Sequence, residues 1–321
     1  MSANIFGQHF KFISFGESHG SAYGVVIDGI PAGITFNHEL LNKELNRRKP
    51  GQSKITSARE ESDQPEILSG VFENKTLGTP IAVVVKNNNQ HSEDYDEIKN
   101  NPRIGHADDV WKNKFGHADH RGGGRSSGRE TINRVIAGSF AQMYVNHVDS
   151  ALSVLAKPIQ IGPHKINFRS ELPELIHDFL NKAKEQGESY GGIVQCKILN
   201  PPKNLGQPVF HKLKADLASA MLGIGAVEGF EFGAGFSAID KKGSEFHDVA
   251  DSSNYGGIRG GISTGEEIIF NIAFKPTSSI MDIAKKGRHD PCIVIRALPV
   301  VEAMAWVVLA DHMLWMRNDR I

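Results

Sequence analysis

A single compact α/β domain spanning 1–321 is the fold this sequence predicts. Three observations carry that expectation. Short β-branched runs are bounded by glycine and proline, segments of helical period lie between them, and no linker or low-complexity stretch divides the chain. A chain of 321 residues can bury a substantial core. Its composition, 40% hydrophobic and 23% charged, is that of an ordinary water-soluble globular protein.

Taken in order, Val25–Ile30 reads as a strand that ends in the Pro31-Ala32-Gly33 turn. Residues 38–48 read as a helix closed by Lys49-Pro50-Gly51. Ile81–Val85 is a β-branched run typical of a buried strand, and 88–104 is polar and loop-like. A helix over about 130–147 follows from the spacing of Ile132, Val135, Ile136, Phe140 and Met143. The second half echoes this plan, with strand-like Ile193–Lys197 before the Pro201-Pro202 turn and a helix over 211–222. Phe230–Ile239 and Ile268–Phe274 read as strands. Residues 299–316 form a strongly apolar helix with Pro299 near its first turn. Ser150–Ser170 is the weakest joint.

The richest chemistry lies at Gly122-Gly123-Gly124-Arg125-Ser126-Ser127-Gly128-Arg129-Glu130-Thr131. A glycine turn feeding a helix N-terminus directs backbone N–H groups and the positive end of the dipole at one spot, which suits phosphate. Ser127 and Glu130 have capping-box spacing, and Arg125 and Arg129 can add bidentate contacts to the same anion. It is neither a P-loop nor a dinucleotide fingerprint, since Asp119 and Arg125 stand where the P-loop needs glycine and lysine. Lys275-Pro276-Thr277-Ser278-Ser279 is either a second anion-holding loop or an ordinary polar turn. Gly223-Ile224-Gly225-Ala226-Val227 has only part of a dinucleotide turn.

His19, His106 and His289 sit among glycines and acids, away from apolar runs, and are the first candidates for acid–base work. His38, His91 and His211 read as bystanders. His106, His117 and His120 with Asp108 and Asp119 match no standard zinc spacing, so no metal is expected. Gly16-Glu17-Ser18-His19-Gly20 outlines a nucleophile elbow but lacks the helix that should follow it. Cys196 and Cys292 read as small buried apolar residues. A net charge of −1 with local basic knots argues against nucleic acid and for a small polyanion. Without a signal-like N-terminus or a membrane-length apolar run, a cytoplasmic location is expected.

Six motifs together resemble the chorismate synthase family: Phe15–Gly20, Arg47–Gly51, Gly105–Asp108, Arg121–Thr131, Lys275–Ser279 and Gly287–Cys292, in the family's order and over nearly the whole chain. The resemblance implies a β-α-β sandwich of the chorismate synthase type, assembled as a homotetramer. It implies 1,4-elimination of phosphate from 5-enolpyruvylshikimate 3-phosphate to give chorismate, with reduced FMN and with NADPH as a candidate reductant. By the same resemblance His19 would protonate the reduced flavin, His106 the departing phosphate, and Asp290 would take a proton from the flavin N5 region. Arg125, Ser126, Ser127, Gly225, Ala226, Gly260, Lys275, Pro276, Thr277, Ser278, Ser279 and Arg288 match flavin-contacting positions. Arg48, Lys54, Arg103 and Arg129 match positions that hold substrate or NADP. Lys54 stands where many members have arginine, and Ile104 where proline is frequent. The 280–287 loop is short and the region after 150 is trimmed. A flavin-binding module without catalysis is the competing reading, and it leaves His19, His106 and Asp290 without a role.

Overall fold

The computed structural model describes residues 3–49, 63–87, 105–119, 121–248, 252–281 and 290–319. Lys54, Arg103, Arg288, His91, His120 and His289, with the loop expected over 88–104, lie outside the described residues.

The first sheet is antiparallel, in the order β1-β2-β3-β7-β4. Its strands are β1 (Ile5–Phe6), β2 (Lys11–Phe15), β3 (Ala22–Asp28), β4 (Pro65–Ile67) and β7 (Ile81–Lys86). A small hairpin of β5 (Val71–Phe72) and β6 (Lys75–Thr76) lies beside it. The second sheet, also antiparallel, comprises β8 (Ser153–Ile161), β9 (His164–Lys165), β10 (Gly192–Leu199), β11 (Val227–Phe232) and β14 (Ile268–Phe274), in the order β11-β14-β10-β8-β9. β12 (Ile258–Arg259) and β13 (Ile262–Ser263) make a separate hairpin. The longer helices are α1 (His38–Arg48), α2 (Asp108–Phe115), α3 (Thr131–Val148), α4 (Glu174–Gln186), α5 (Leu213–Leu222) and α6 (Val294–Met316).

Alternation in the strands shows which face meets the core. Ile81, Val83 and Val85 of β7, and Ile268, Phe270, Ile272 and Phe274 of β14, are buried while their neighbours are less so. Between the two sheets run α3 and α6. α3 packs on β2 and β3, α6 on β8 and β10, and the two helices pack on each other. This explains why both are apolar nearly all round, rather than along one stripe. The architecture is thus a β-α-β sandwich, as the resemblance implies.

The polar residues inside α6 tie the layers together. Asp311 accepts backbone N–H bonds from Gln8 (2.9 Å), His9 (2.5 Å) and Phe10 (2.9 Å), anchoring the β1–β2 turn. Glu302 accepts from the Ala156 N–H of β8 (2.9 Å) and pairs with Arg47 of α1 (2.5 Å). Burial pushes the Glu302 carboxyl up from its ordinary value, and Arg47 offsets only part of that.

Several sequence expectations need correction. β11 stops at Phe232 rather than Ile239, because Gly233 and Gly235 adopt left-handed backbone and a 3₁₀ turn over Gly235–Asp240 follows. α6 begins at Val294, so Pro299 lies inside it and not near its start. Proline there removes one helical N–H, a local defect the surrounding packing tolerates. The weak joint at 150–170 contains β8, an interior strand of the second sheet. Its signal is blurred by Pro158 and by a bulge, where Ile193 pairs with Gln160 but Val194 with Pro158. α2 and α4 lie in stretches where no helix is expected from the sequence. Cys196 and Cys292 are buried free thiols; burial raises the first well above its ordinary value and the second to about 11.

Candidate active site

A cavity of about 830 Å³ opens where the ends of both sheets meet the first turns of α6. Its size lies toward the upper end of ligand pockets, roughly 300–1,000 Å³. Ser14 of β2 and Arg48 at the end of α1 line one side, and Phe274 and the loop after β14 another. Arg125, Ser126, Ser127 and Arg129 come from the glycine turn, Gly225 and Ala226 from the turn after α5. His106, Lys275, Pro276, Thr277, Ser278, Ser279 and Asp290 complete the set of sequence-derived residues that reach it. Two do not line it. His19 lies behind the glycine turn, and Gly260 sits in the β12–β13 hairpin.

Gly122, Gly123 and Gly124 all have positive φ (61°, 82° and 51°), a run that side-chain-bearing residues would resist. At Gly122 there is a second reason for glycine. A Cβ would fall 2.2 Å from both Cε1 and Nδ1 of His19, so the turn can lie directly on the imidazole. The Ser18 hydroxyl donates to the Arg121 carbonyl (3.1 Å) and lies 2.9 Å from His19 Nδ1.

The capping box is only half present. A 3₁₀ turn over Gly128–Glu130 intervenes, so Ser127 accepts from the Arg129 N–H (3.4 Å) and α3 starts at Thr131. Glu130 turns instead to Arg134 (2.8 Å), and Arg134 also donates to the Gly223 carbonyl (2.6 Å). That pair of contacts joins the glycine turn to the turn after α5.

The arginines are held by protein groups as well as facing the cavity. Arg125 donates to Ser14 Oγ (2.5 Å) and to the carbonyls of Ser14 (3.3 Å) and Gly16 (3.2 Å). Arg48 donates to Asp63 (2.6 Å), which Arg129 also approaches at 3.1 Å. Arg129 Nε donates to Asn87 Oδ1 (2.9 Å), and its guanidinium lies 5.9 Å from the Tyr23 ring centroid. Burial raises the Tyr23 phenol above its ordinary value, so it stays neutral, and its hydroxyl donates to the Gly124 carbonyl (3.3 Å).

Across the cavity His106 Nδ1 is 2.6 Å from the Asp108 carboxylate, at the head of α2, which fixes the direction of the ring. Lys275 Nζ donates to the Gly105 carbonyl (3.0 Å), bringing the His106 segment against the post-β14 loop. The Thr277 hydroxyl donates to the Asp290 carbonyl (3.1 Å), and the Asp290 carboxylate pairs with Arg296 of α6. Among the described residues no cluster of three or more histidine, cysteine, aspartate or glutamate side chains could hold a metal. None of their helices is long and apolar enough to cross a membrane.

Asp63, Asn87, Arg134 and Arg296 escape the sequence reading although they grip the cavity residues. Arg134 stands in the basic knot of the glycine turn, but neither Asp63 nor Asn87 carries a local signal. Their partners are distant in sequence.

Fold and site together define an α/β protein with a ligand-sized cavity walled by several cationic side chains among the described residues. The sequence model of the family described as chorismate synthase matches residues 10–314. A chorismate synthase from Bdellovibrio bacteriovorus is 56% identical over all of both chains, and one from Methanosarcina mazei is 44% identical over 98% of this chain and 97% of its own. A crystal structure of chorismate synthase superposes with a TM-score of 0.79 at 28% identity, covering 98% of this chain and 94% of that one. The chain belongs to the chorismate synthase family, and so to the lyases.

Proposed function

We propose that the chain converts 5-enolpyruvylshikimate 3-phosphate to chorismate by 1,4-elimination of phosphate, with reduced FMN, as the last step of the shikimate pathway. The observation that carries this reading is the convergence of Arg48, Arg125, Arg129, Lys275, His106 and Asp290 on one cavity. The substrate has two carboxylates and a phosphate, and FMN brings another phosphate, so a cavity serving both needs several fixed cations.

The residues present suit a flavin. A Cβ at Gly225 would meet nothing within 4 Å, and Ala226 next to it has left-handed backbone (φ 68°), which leaves an open backbone edge for a planar ring. Ser126, Ser127, Thr277 and Ser278 supply hydroxyls around the same space. A bound reduced FMN would supply the electron chemistry that eases phosphate loss, with no net redox change. The protein's share is placement and protons. Arg48 and Arg129 hold the anionic groups of the substrate. His106, aimed by Asp108, gives a proton to the departing phosphate. In this reading His19, packed against Gly122, would be the proton donor to the reduced flavin, and the Asp290 carboxylate, steered by Arg296, would receive a proton. Lys54, Arg103 and Arg288 join the substrate and flavin contacts in this reading, as does Gly260, and NADPH is the candidate reductant. The chain acts as one domain in a cytoplasmic homotetramer.

A flavin spectrum distinguishes this from a binding module without catalysis. Adding the phosphorylated substrate to enzyme with reduced FMN, without oxygen, should change the flavin absorbance transiently and release phosphate with chorismate. A spectrum that ignores the substrate would exclude the lyase reading.

A further inference from the structure

Behind the cavity wall lies a buried carboxylate, Asp63. Asp63 precedes β4, and its side chain is 0% exposed. One oxygen, Oδ2, accepts from Arg48 Nη2 at 2.6 Å; the other, Oδ1, lies 3.1 Å from Arg129 Nη2. The two arginine side chains are 2% and 9% exposed, yet both line the cavity. Each therefore contributes part of the cavity wall. Arg48 ends α1 and Arg129 belongs to the 3₁₀ turn before α3, so nothing local brings two like charges together. A carboxylate with one oxygen for each does.

We propose that Asp63 is a positioning residue, whose buried carboxylate fixes the Arg48 and Arg129 guanidiniums in the directions from which they meet the substrate's anionic groups. This rests on the function proposed above. Arginine side chains have many rotamers, and ordering them at the moment of binding would weaken affinity. Asp63 orders them beforehand, while Asn87 at Nε and the Tyr23 ring restrain Arg129 from two further sides. Burial alone would raise the Asp63 pKa, but Arg48 and then Arg129 hold it below the ordinary carboxylate value, so the group stays ionised. Its backbone is left-handed (φ 42°), a conformation that costs energy and persists where the surroundings over-determine it.

The test is Asp63→Asn, which keeps the shape but turns an amide N–H₂ toward one of the two cationic donors. For the variant, KM for 5-enolpyruvylshikimate 3-phosphate should rise at least tenfold, with kcat falling by less than the rise in KM. The Kd of the same compound for enzyme carrying oxidised FMN, read by calorimetry, should rise in parallel, and the Kd of FMN itself should stay within twofold. Asp63→Glu restores the charge and should recover part of the loss. A folded Asp63→Asn enzyme with unchanged or lower KM and Kd would overturn the proposal. An equal loss of FMN affinity, substrate affinity and kcat would also overturn it, since that is what a merely structural ion pair predicts. If Asp63→Asn does not fold, Asp63→Glu is decisive: a Kd raised threefold or more with FMN binding intact supports the role, and an unchanged Kd refutes it. Wild-type enzyme that makes no chorismate would instead refute the function proposed above.

Discussion

The role proposed for His106 is open to test by a single substitution. Its ring is directed by Asp108, and its segment is drawn to the cavity by Lys275. His106→Ala should lower chorismate formation by roughly two orders of magnitude, the usual scale for a lost acid–base group, while FMN still binds. A turnover equal to wild type would remove His106 from the mechanism. Residues of this kind are legible in the sequence because their glycine-rich, charged surroundings are unlike a core. Arg125, Ser126 and Ser127 are legible for the same reason, as is the glycine turn itself. Asp63 and Asn87 are not, because they act through partners far along the chain, and an isolated acid before a short strand looks like any surface acid. The cavity also revises the simple picture of two arginines clamping one phosphate. Arg125 is engaged with β2 and Arg129 with Asp63, so each presents to a ligand only what those contacts leave.

Among the elements, the crossing of α3 and α6 is the most constrained. A Cβ at Gly138 of α3 would lie 2.4 Å from Ala303 Cβ and 2.5 Å from its Cα, so the backbones themselves would have to part. Alanine in place of glycine ordinarily favours a helix by about 1 kcal/mol. Overpacking at a rigid contact costs about 1–3 kcal/mol and wins here. Gly138→Ala should therefore unfold at lower denaturant than wild type; equal or greater stability would contradict the described contact. Elements with a clean period, such as α1, β7, β10 and β14, follow the sequence within a residue or two. β8 does not, since Pro158 and its bulge interrupt the alternation, and the true start of α6 is hidden by reading Pro299 as a helix opening. The amphipathic α4, with Ile176, Leu180 and Ala183 buried at helical spacing, carried a legible signal that the sequence reading passes over.

For the molecule as a whole, the two-sheet sandwich explains why α3 and α6 are buried on every side. Sequence pattern alone supports an α/β unit; that the helices form a middle layer follows only from which strands they touch, or from the family resemblance. The alignment with the Bdellovibrio relative runs to 342 positions against 321 residues here, so that relative carries residues this chain lacks. The proposed homotetramer is consistent with bare apolar side chains such as Phe236 (79% exposed) and Ile239 (84%). Sedimentation equilibrium should give about four times the 35.2 kDa chain mass, and a monomer at micromolar concentration would contradict the assembly. In the proposed function, the cavity between the sheet ends performs the elimination. Its most direct test is to incubate the purified protein without oxygen, with chemically reduced FMN and 5-enolpyruvylshikimate 3-phosphate, and to measure chorismate. Chorismate and phosphate should form in equal amounts, dependent on the reduced flavin; no chorismate from folded, FMN-loaded protein would overturn the proposed function.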